Sequence, residues 1–138
     1  MTESNLANLQ AGDTLTPMVC APVTRTTLAL FAGASNDHNP IHIDTDAARI
    51  AGLPDVIGHG MLAMASLARL LTGFSDPRRL RQFNVRFAGI TRVGDQLTCT
   101  ATVTERFIAG GEQRIRLQLQ AADQKGDMKV AGEAVLAI

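Results

Sequence analysis

A segment near the first third of the chain carries an acid and an imidazole around a rigid turn. It reads Phe31-Ala-Gly-Ala-Ser-Asn-Asp-His-Asn-Pro-Ile-His42 and contains two of the three histidines. Asp37 and His42 lie five positions apart, on either side of Asn39-Pro40. Proline fixes φ and lacks a backbone N–H, so we expect Pro40 to end any helix and to force a defined turn. An acid and an imidazole on such a turn can share one water or one substrate hydroxyl. These two groups are sufficient for general acid–base catalysis of proton transfer to or from carbon.

Two short helices are predicted on either side of this turn. Thr26 or Thr27 is suited to cap the first helix, which runs into the turn. The segment Asp44-Thr45-Asp46 is suited to cap the second, over residues 47–51, and Gly52 to stop it.

A third helix is predicted over Met61–Leu71, directly after a loop that ends in His59-Gly60. Leu, Met and Ala are strong helix formers, and apolar residues occupy nearly every face of this segment. A helix that is apolar all round is a buried one. Gly73 stands where a C-cap is expected.

The second half of the chain switches to a period of two, which is typical of strands. The turn-forming residues 94–95, 110–111 and 125–127 separate the runs, so we expect antiparallel pairing. An earlier run also favours a strand, but its two prolines suit a sheet edge. The predicted strands are Thr14–Val23 at the edge, Leu80–Phe87, Leu97–Thr104, 115–120 and Val130–Ile138. The fold class predicted is α+β, an antiparallel sheet wrapped around one apolar helix, as a single domain over residues 1–138.

Composition excludes several function classes. Hydrophobic residues make up 46% of the 138 residues and charged residues 19%, which is typical of a globular protein. Lys+Arg and Asp+Glu both number 13, and Trp and Tyr are absent. Because nucleic-acid binding uses net positive charge or aromatic stacking, we expect no nucleic-acid partner.

The two cysteines and the start of the chain bear on metals and on localisation. Cys20 and Cys99 lack metal-ligand spacing, so we expect two small reduced core residues and no metal. Residues 1–6 have no basic start or apolar run, and no segment is long enough to span a bilayer. We therefore expect a soluble, cytoplasmic protein without a membrane partner.

Two motifs in order carry a resemblance to a known family. The segment Val56-Ile-Gly-His-Gly-Met61 resembles the one that leads into the central helix of a hot-dog fold. The earlier segment resembles the hydratase-2 signature of the MaoC-like, or (R)-specific enoyl-CoA hydratase, family, and the resemblance covers the chain from about Val23 onward. The matching positions are Phe31, Ser35, Asp37, Asn39-Pro40, Ile41, His42 and Ala48.

The resemblance implies a role for individual residues. Asp37 and His42 correspond to the catalytic pair that activates the water added to, or removed from, the 2,3-bond of an acyl thioester. The backbone N–H of Gly60 corresponds to the oxyanion donor. Substrate contacts are implied for Asn39, His59 and Met61.

Elementary chemistry agrees with the role implied for Gly60. Abstracting a proton next to a thioester builds negative charge on the carbonyl oxygen, and an N–H at a helix start points the positive end of the macrodipole at that oxygen. Such a donor is typically worth roughly 3–4 kcal/mol in the transition state. The reaction needs no metal or redox cofactor.

The chain departs from the family pattern at two positions. Asn36 stands where many relatives have glycine, and Asn tolerates unusual backbone angles better than most residues. Some relatives support the catalytic pair with a serine two turns into the central helix. Here the aligned position is Ala68, and Ser66 is nearby but displaced.

The remaining polar residues can be explained by structural or solvent-exposed roles. His38 fits a structural or solvated role, and His59 fits a hydrogen bond across the site loop without a catalytic role. A cluster of arginines is either a solvated strand face or a contact for the phosphates of coenzyme A. Its members are Arg78, Arg79, Arg81, Arg86 and Arg92.

The function predicted from the resemblance is reversible hydration of trans-2-enoyl-CoA to (3R)-hydroxyacyl-CoA by a hydro-lyase of fatty acid metabolism. The substrate partner is an acyl-CoA or an acyl carrier protein thioester. The resemblance implies a homodimer or higher oligomer. Two alternatives stay open: a subunit of a heteromeric hydratase for bulky acyl groups such as a steroid side chain, and a hot-dog acyl-CoA thioesterase.

Overall fold

A five-stranded antiparallel sheet is the largest element of the computed structural model, which describes residues 3–138, with side chains from Leu6 onward. The strand order is β1-β3-β4-β5-β2. The strands are β1 (Met18–Val19), β2 (Leu80–Phe87), β3 (Thr98–Ala109), β4 (Glu112–Ala122) and β5 (Met128–Ala137). The helices are α1 (Arg25–Ser35), α2 (Thr45–Ile50) and α3 (Gly60–Phe74), with 3-10 turns at Glu3–Asn8, Pro40–His42 and Pro77–Arg79. The predicted α+β class and antiparallel pairing are confirmed.

Alternating apolar residues give the sheet one buried face. On β4, Ile115, Leu117 and Leu119 are completely buried, while the residues between them are more exposed. The turn between β3 and β4 uses Gly110 and Gly111, both with positive φ, which glycine adopts at no steric cost. Strands β2 to β5 overlap the four strands predicted for the second half, and β3 and β4 extend beyond their predicted ends.

Helix α3 packs its leucines against the buried face of the sheet. Leu67 and Leu71 on α3 share one core cluster with β3, β4 and β5. The opposite face of α3 is open, however, and Met61 is 52% exposed. The prediction that this helix is buried on every side is therefore wrong. A stripe of half-buried residues follows Met61 along the open face.

Some predicted helix ends are corrected by the structure. The cap of α1 is Thr24, not Thr26 or Thr27, because its hydroxyl accepts a hydrogen bond from Thr27 N–H at 3.0 Å. Gly73 lies inside α3, which ends at Phe74 because Ser75 turns to an extended conformation. Within the predicted cap segment 44–46, Asp44 is the residue that caps α2, accepting from two backbone N–H groups, and the helix starts at Thr45 rather than at residue 47.

The predicted edge strand is present but short. Only Met18 and Val19 of the run 14–23 form a strand, paired with β3 at the sheet edge. Pro17 and Pro22, which have no N–H to donate to a neighbouring strand, flank it on either side. Within residues 3–138, no helix has the length and apolar character needed to cross a membrane.

Two glycines make a matched test of this packing. A Cβ on Gly132 of β5 would overlap the carbonyl oxygen of Asn84 and lie 2.8 Å from Val85 Cα in β2. A Cβ on Gly73 in α3 meets nothing within 4 Å. We expect Gly132→Ala to lower the free energy of unfolding by about 1–3 kcal/mol because β2 must shift. Gly73→Ala should raise it by about 0.5–1 kcal/mol. Urea unfolding measures both, and equal effects of the two substitutions would contradict the described packing.

Candidate active site

A left-handed residue turns the chain at the end of α1 and presents Asp37. Asn36 has φ 58° and is the one non-glycine residue with positive φ in the described part of the chain. The expectation that asparagine sustains this turn is confirmed. Ser35 Oγ accepts from Asp37 N–H at 3.3 Å, and Asp37 Oδ1 accepts from Asn39 N–H at 3.3 Å. The Asp37 carboxylate is 49% exposed, so a substrate or water can reach it.

Asn39-Pro40 then starts a tight turn that carries His42. Asn39 Oδ1 accepts from Ile41 N–H at 3.2 Å, and Pro40 takes the first position of the 3-10 turn, where no N–H is needed. The imidazole of His42 is mostly buried. The predicted turn is therefore present, and its two ends are fixed by side-chain hydrogen bonds.

The hydrogen bond of His42 sets which ring nitrogen is free. His42 Nδ1 lies 2.7 Å from the carbonyl oxygen of Ile57. A carbonyl only accepts, so Nδ1 carries a proton and Nε2 holds the lone pair of the neutral ring. His42 Nε2 faces Asp37 Oδ2 at 3.9 Å. This gap is too long for a direct hydrogen bond, and both groups can reach one small oxygen atom between them.

His59 lies behind this pair. Its ring is 1% exposed and stacks on His42 with centroids 3.8 Å apart. His59 Nε2 lies 3.2 Å from the backbone carbonyl oxygen of Asp37, which confirms the expected hydrogen bond across the site loop. His59 was expected to contact substrate, whereas its described contacts are with Asp37, His42 and Phe31.

Gly60 begins α3 beside the pair. No acceptor for its N–H lies among the described residues, and His59, the preceding residue, gives the helix no side-chain cap. A Cβ on Gly60 would lie 2.9 Å from the ring of Phe87. Glycine at this position therefore lets the ring of Phe87 pack against the helix start, and Gly60 itself is exposed.

An apolar depression of about 360 Å³ adjoins Asp37. It runs along the open face of α3, where Met61 is one of its walls. The small residues Ala65 and Ala68 of α3 line it, while Ala63 is buried in the core. The other lining residues are Phe31, Ser35, Met64 and Phe83.

Ser66 does not replace the serine that the family pattern places at Ala68. Its hydroxyl donates to Leu62 O at 3.1 Å within α3. It lines a separate pocket with Cys20 and Arg69, whereas Ala68 lies in the depression with Asp37. Asp37 and His42 are held instead by backbone groups and by His59.

The other predicted polar residues lie apart from the pair or at its rim. His38 and Asn39 are exposed. Arg81 binds Glu112 through two hydrogen bonds, and Arg78 pairs with Asp76. The Arg81 and Arg114 guanidinium groups lower the pKa of Glu112 to about 2. These carboxylate partners favour the solvated face over a phosphate site for Arg78 and Arg81.

The thiols match the expectation in part. Cys99 is buried, and burial together with the neighbouring Cys20 raises its pKa to about 12. Cys20 is only partly buried, because it lies beside the short edge strand.

Three site residues have the donor types of a metal site but poor geometry for one. Asp37, His42 and His59 each offer a ligand atom, and these atoms lie within 4.8 Å of one another. The two rings are stacked at 25°. Ring lone pairs point along the ring plane, so two nearly parallel stacked rings cannot both aim at one ion. We assign no metal to this site.

A buried ion cluster that the sequence analysis missed supports the loop next to Gly60. Lys129 Nζ lies 3.0 Å from Asp123 and 3.6 Å from Asp95, and all three residues are buried. Asp95 also accepts from Arg92 N–H at 2.7 Å. The residue before Arg92 is Thr91, whose carbonyl oxygen accepts from Gly58 N–H at 2.7 Å. The cluster therefore anchors the loop against which residues 57–60 pack.

The charges of this cluster reinforce one another. The hydrogen bond from Lys129 holds the pKa of Asp123 below its usual value, against the effect of burial. Burial alone would lower the pKa of Lys129, but Asp123 and Asp95 raise it above its usual value. In sequence, Lys129 is the second residue of β5, and Asp95 and Asp123 flank turns, so no local pattern links them.

Comparison with known proteins identifies the family of the chain. Residues 8–124 match the family model described as MaoC like domain. The chain belongs to the MaoC-like dehydratase family. A MaoC-like relative, the (R)-specific enoyl-CoA hydratase of Rhodospirillum rubrum, is 33% identical over 84 residues, covering 59% of this chain and 58% of that protein.

Two much longer fatty acid synthase subunits also match this MaoC-like chain. The fatty acid synthase beta subunit TOXC of Cochliobolus carbonum is 34% identical over 121 residues, which is 85% of this chain. The chain spans only 6% of that protein and 5% of the fatty acid synthase subunit beta of Aspergillus oryzae.

A solved MaoC-like structure confirms the hot-dog fold. The R-hydratase PhaJ1 of Pseudomonas aeruginosa has a TM-score of 0.81 at 27% identity, covering 95% of this chain and 83% of that one. The fold expected from the resemblance is therefore the fold observed.

Removing the cation of the buried cluster tests its part in stability. We expect Lys129→Met to lower the urea midpoint, because two buried carboxylates lose their cation. The difference from wild type should shrink as the pH falls below about 4, where carboxylates become protonated and no longer need the cation.

Lys125→Met is the matched control, since Lys125 is exposed on the same turn. Its urea midpoint should stay at the wild-type value. A pH-independent effect of Lys129→Met would contradict the charge-based explanation.

Proposed function

We propose that this protein catalyses the reversible hydration of a trans-2-enoyl thioester to the (3R)-3-hydroxyacyl thioester. One observation carries the proposal. The facing atoms of Asp37 and His42 are 3.9 Å apart, Asp37 lines an apolar depression, and the N–H of Gly60 has no acceptor among the described residues. The relatives named for (R)-hydration and for fatty acid synthesis support the same reaction class.

The pair divides the handling of one water molecule. Asp37 accepts a hydrogen bond from the water and orients it, and His42 Nε2 takes a proton as the water oxygen attacks C3. His42 is suited to this because its Nδ1 proton is held by Ile57 O. The electrons of the 2,3-double bond move toward the thioester carbonyl, and C2 then receives a proton from the pair. The net change adds one hydroxyl at C3 and one hydrogen at C2.

Gly60 is placed to stabilise the charge that develops on the thioester oxygen. Its N–H is at the first position of the fifteen-residue helix α3, and it has no acceptor within the described residues. A preorganised donor of this kind typically contributes roughly 3–4 kcal/mol to the transition state. The same donor serves dehydration, because the two directions share one transition state.

The depression suits the acyl chain. Its walls are mainly apolar, and the small side chains of Ala65 and Ala68 leave room beside α3. An acyl chain bound there would place its thioester end near Asp37. Either coenzyme A or an acyl carrier protein can carry this chain.

The assembly that we propose is a pairing through β2, with a second copy or with another hot-dog subunit. Strand β2 lies at the sheet edge opposite β1, and its far side has no partner strand among the described residues. Phe87 on β2 is 52% exposed beside Gly60, and Met61 and Ile90 are also exposed. An unpaired strand edge with exposed apolar residues favours an added strand.

Substitutions of the pair test the proposed function. We expect Asp37→Asn and His42→Ala each to lower kcat/KM for crotonyl-CoA hydration by about 10²–10⁴-fold, because each removes one group that handles the water. The loss of enoyl absorbance measures the rate, and circular dichroism checks the fold. His38→Ala is the matched control, since His38 lies next to Asp37 but is exposed. Turnover near the wild-type rate in Asp37→Asn or His42→Ala would overturn the proposal.

A further inference from the structure

We propose that His59 is a positioning residue that fixes both members of the Asp37/His42 pair, an inference that rests on the proposed function. Its two contacts are of different kinds. Its Nε2 meets the backbone of Asp37, and its ring face meets the ring of His42. One buried side chain thus contacts both groups without reaching the depression.

The hydrogen bond determines the form of the His59 ring. Because the Asp37 carbonyl oxygen only accepts, His59 Nε2 must donate across the 3.2 Å contact. His59 Nδ1 is buried and has no partner among the described residues. The neutral ring with its proton on Nε2 satisfies this arrangement, since a proton on Nδ1 would leave a buried donor unpaired.

The bond to Asp37 matters because the loop that carries Asp37 has few other restraints. The carboxylate is half exposed, and the local hydrogen bonds of Asp37 are both at 3.3 Å. His59 provides a contact from outside this loop, 22 residues along the chain. It therefore sets the distance between the Asp37 carboxylate and His42.

The stack fixes the plane of His42. The rings of His42 and His59 are stacked, with centroids 3.8 Å apart and planes at 25°. The ring of Phe31 contacts His59 edge-on, with centroids 5.0 Å apart. His59 is thus held between α1 and the 3-10 turn. With its plane set, His42 can donate from Nδ1 to Ile57 and aim Nε2 at Asp37 at the same time.

His59 also precedes Gly60, and its carbonyl accepts from Leu62 N–H at 3.0 Å. The backbone of His59 therefore belongs to the first turn of α3, while its side chain reaches the catalytic pair. A shift of this residue would move the oxyanion donor and the pair together.

Two substitutions separate the contacts. His59→Phe keeps a ring against His42 but loses the donor to Asp37. His59→Gln keeps an N–H donor but loses the ring. We expect each to lower kcat for crotonyl-CoA hydration by about 10–100-fold with KM changed less than about threefold, because misplacement acts on the transition state. His38→Ala is the control for a neighbouring histidine without these contacts.

The imidazole ¹⁵N spectrum gives a readout that a merely structural role would not move. At pH 8 we expect wild-type His42 as the Nδ1–H form and His59 as the Nε2–H form. His42 should keep its form in His59→Phe and become a mixture of both forms in His59→Gln. The wild-type spectrum tests the assignment even if a variant fails to fold.

The outcomes separate this inference from the proposed function. If the wild-type protein does not hydrate enoyl-CoA but has the expected spectrum, the proposed function is contradicted and the assigned histidine geometry is supported. An active wild type with unchanged kcat in His59→Phe would overturn the role of the hydrogen bond. An unchanged His42 signal in His59→Gln would overturn the role of the stack.

Discussion

Leu67 and Leu71 are almost completely buried because α3 lies against the apolar face of the sheet, and this contact positions the rest of the site. A buried helix cannot turn about its axis without exposing its leucines, at roughly 1.5–3 kcal/mol for each side chain. Its first residue, Gly60, is therefore fixed relative to the sheet. Its open face is fixed as well, and that face forms one wall of the depression beside Asp37.

The polar part of the site depends on a few backbone carbonyls rather than on a network of side chains. Ile57 O holds His42, Asp37 O holds His59, and Thr91 O holds Gly58. Each bond joins segments that are far apart in the chain. The buried cluster of Lys129, Asp95 and Asp123 fixes the segment that carries Thr91, because Asp95 accepts from the neighbouring Arg92 N–H. This arrangement explains how the pair is held where the aligned serine is replaced by Ala68.

The strands of the second half were predictable from their period of two, and their antiparallel pairing from the turns between them. The central helix was predictable from its strong helix formers. The pair Asp37 and His42 was also predictable, since both belong to one short motif around Asn39-Pro40. The open face of α3 was not predictable, because composition cannot tell which side of an apolar helix lacks a covering element. The stack of His59 on His42 depends on a fold that brings two distant segments together, and the Lys129 cluster does too.

The central claim is that Asp37 and His42 direct water to C3 of an enoyl thioester and not to its carbonyl carbon. The most direct measurement incubates the wild-type protein with crotonyl-CoA, follows free thiol alongside the enoyl absorbance, and determines the chirality of the product. We predict that the absorbance falls without thiol release and that the product is (3R)-hydroxybutyryl-CoA. Thiol release without loss of the enoyl absorbance, or a (3S) product, would contradict the claim.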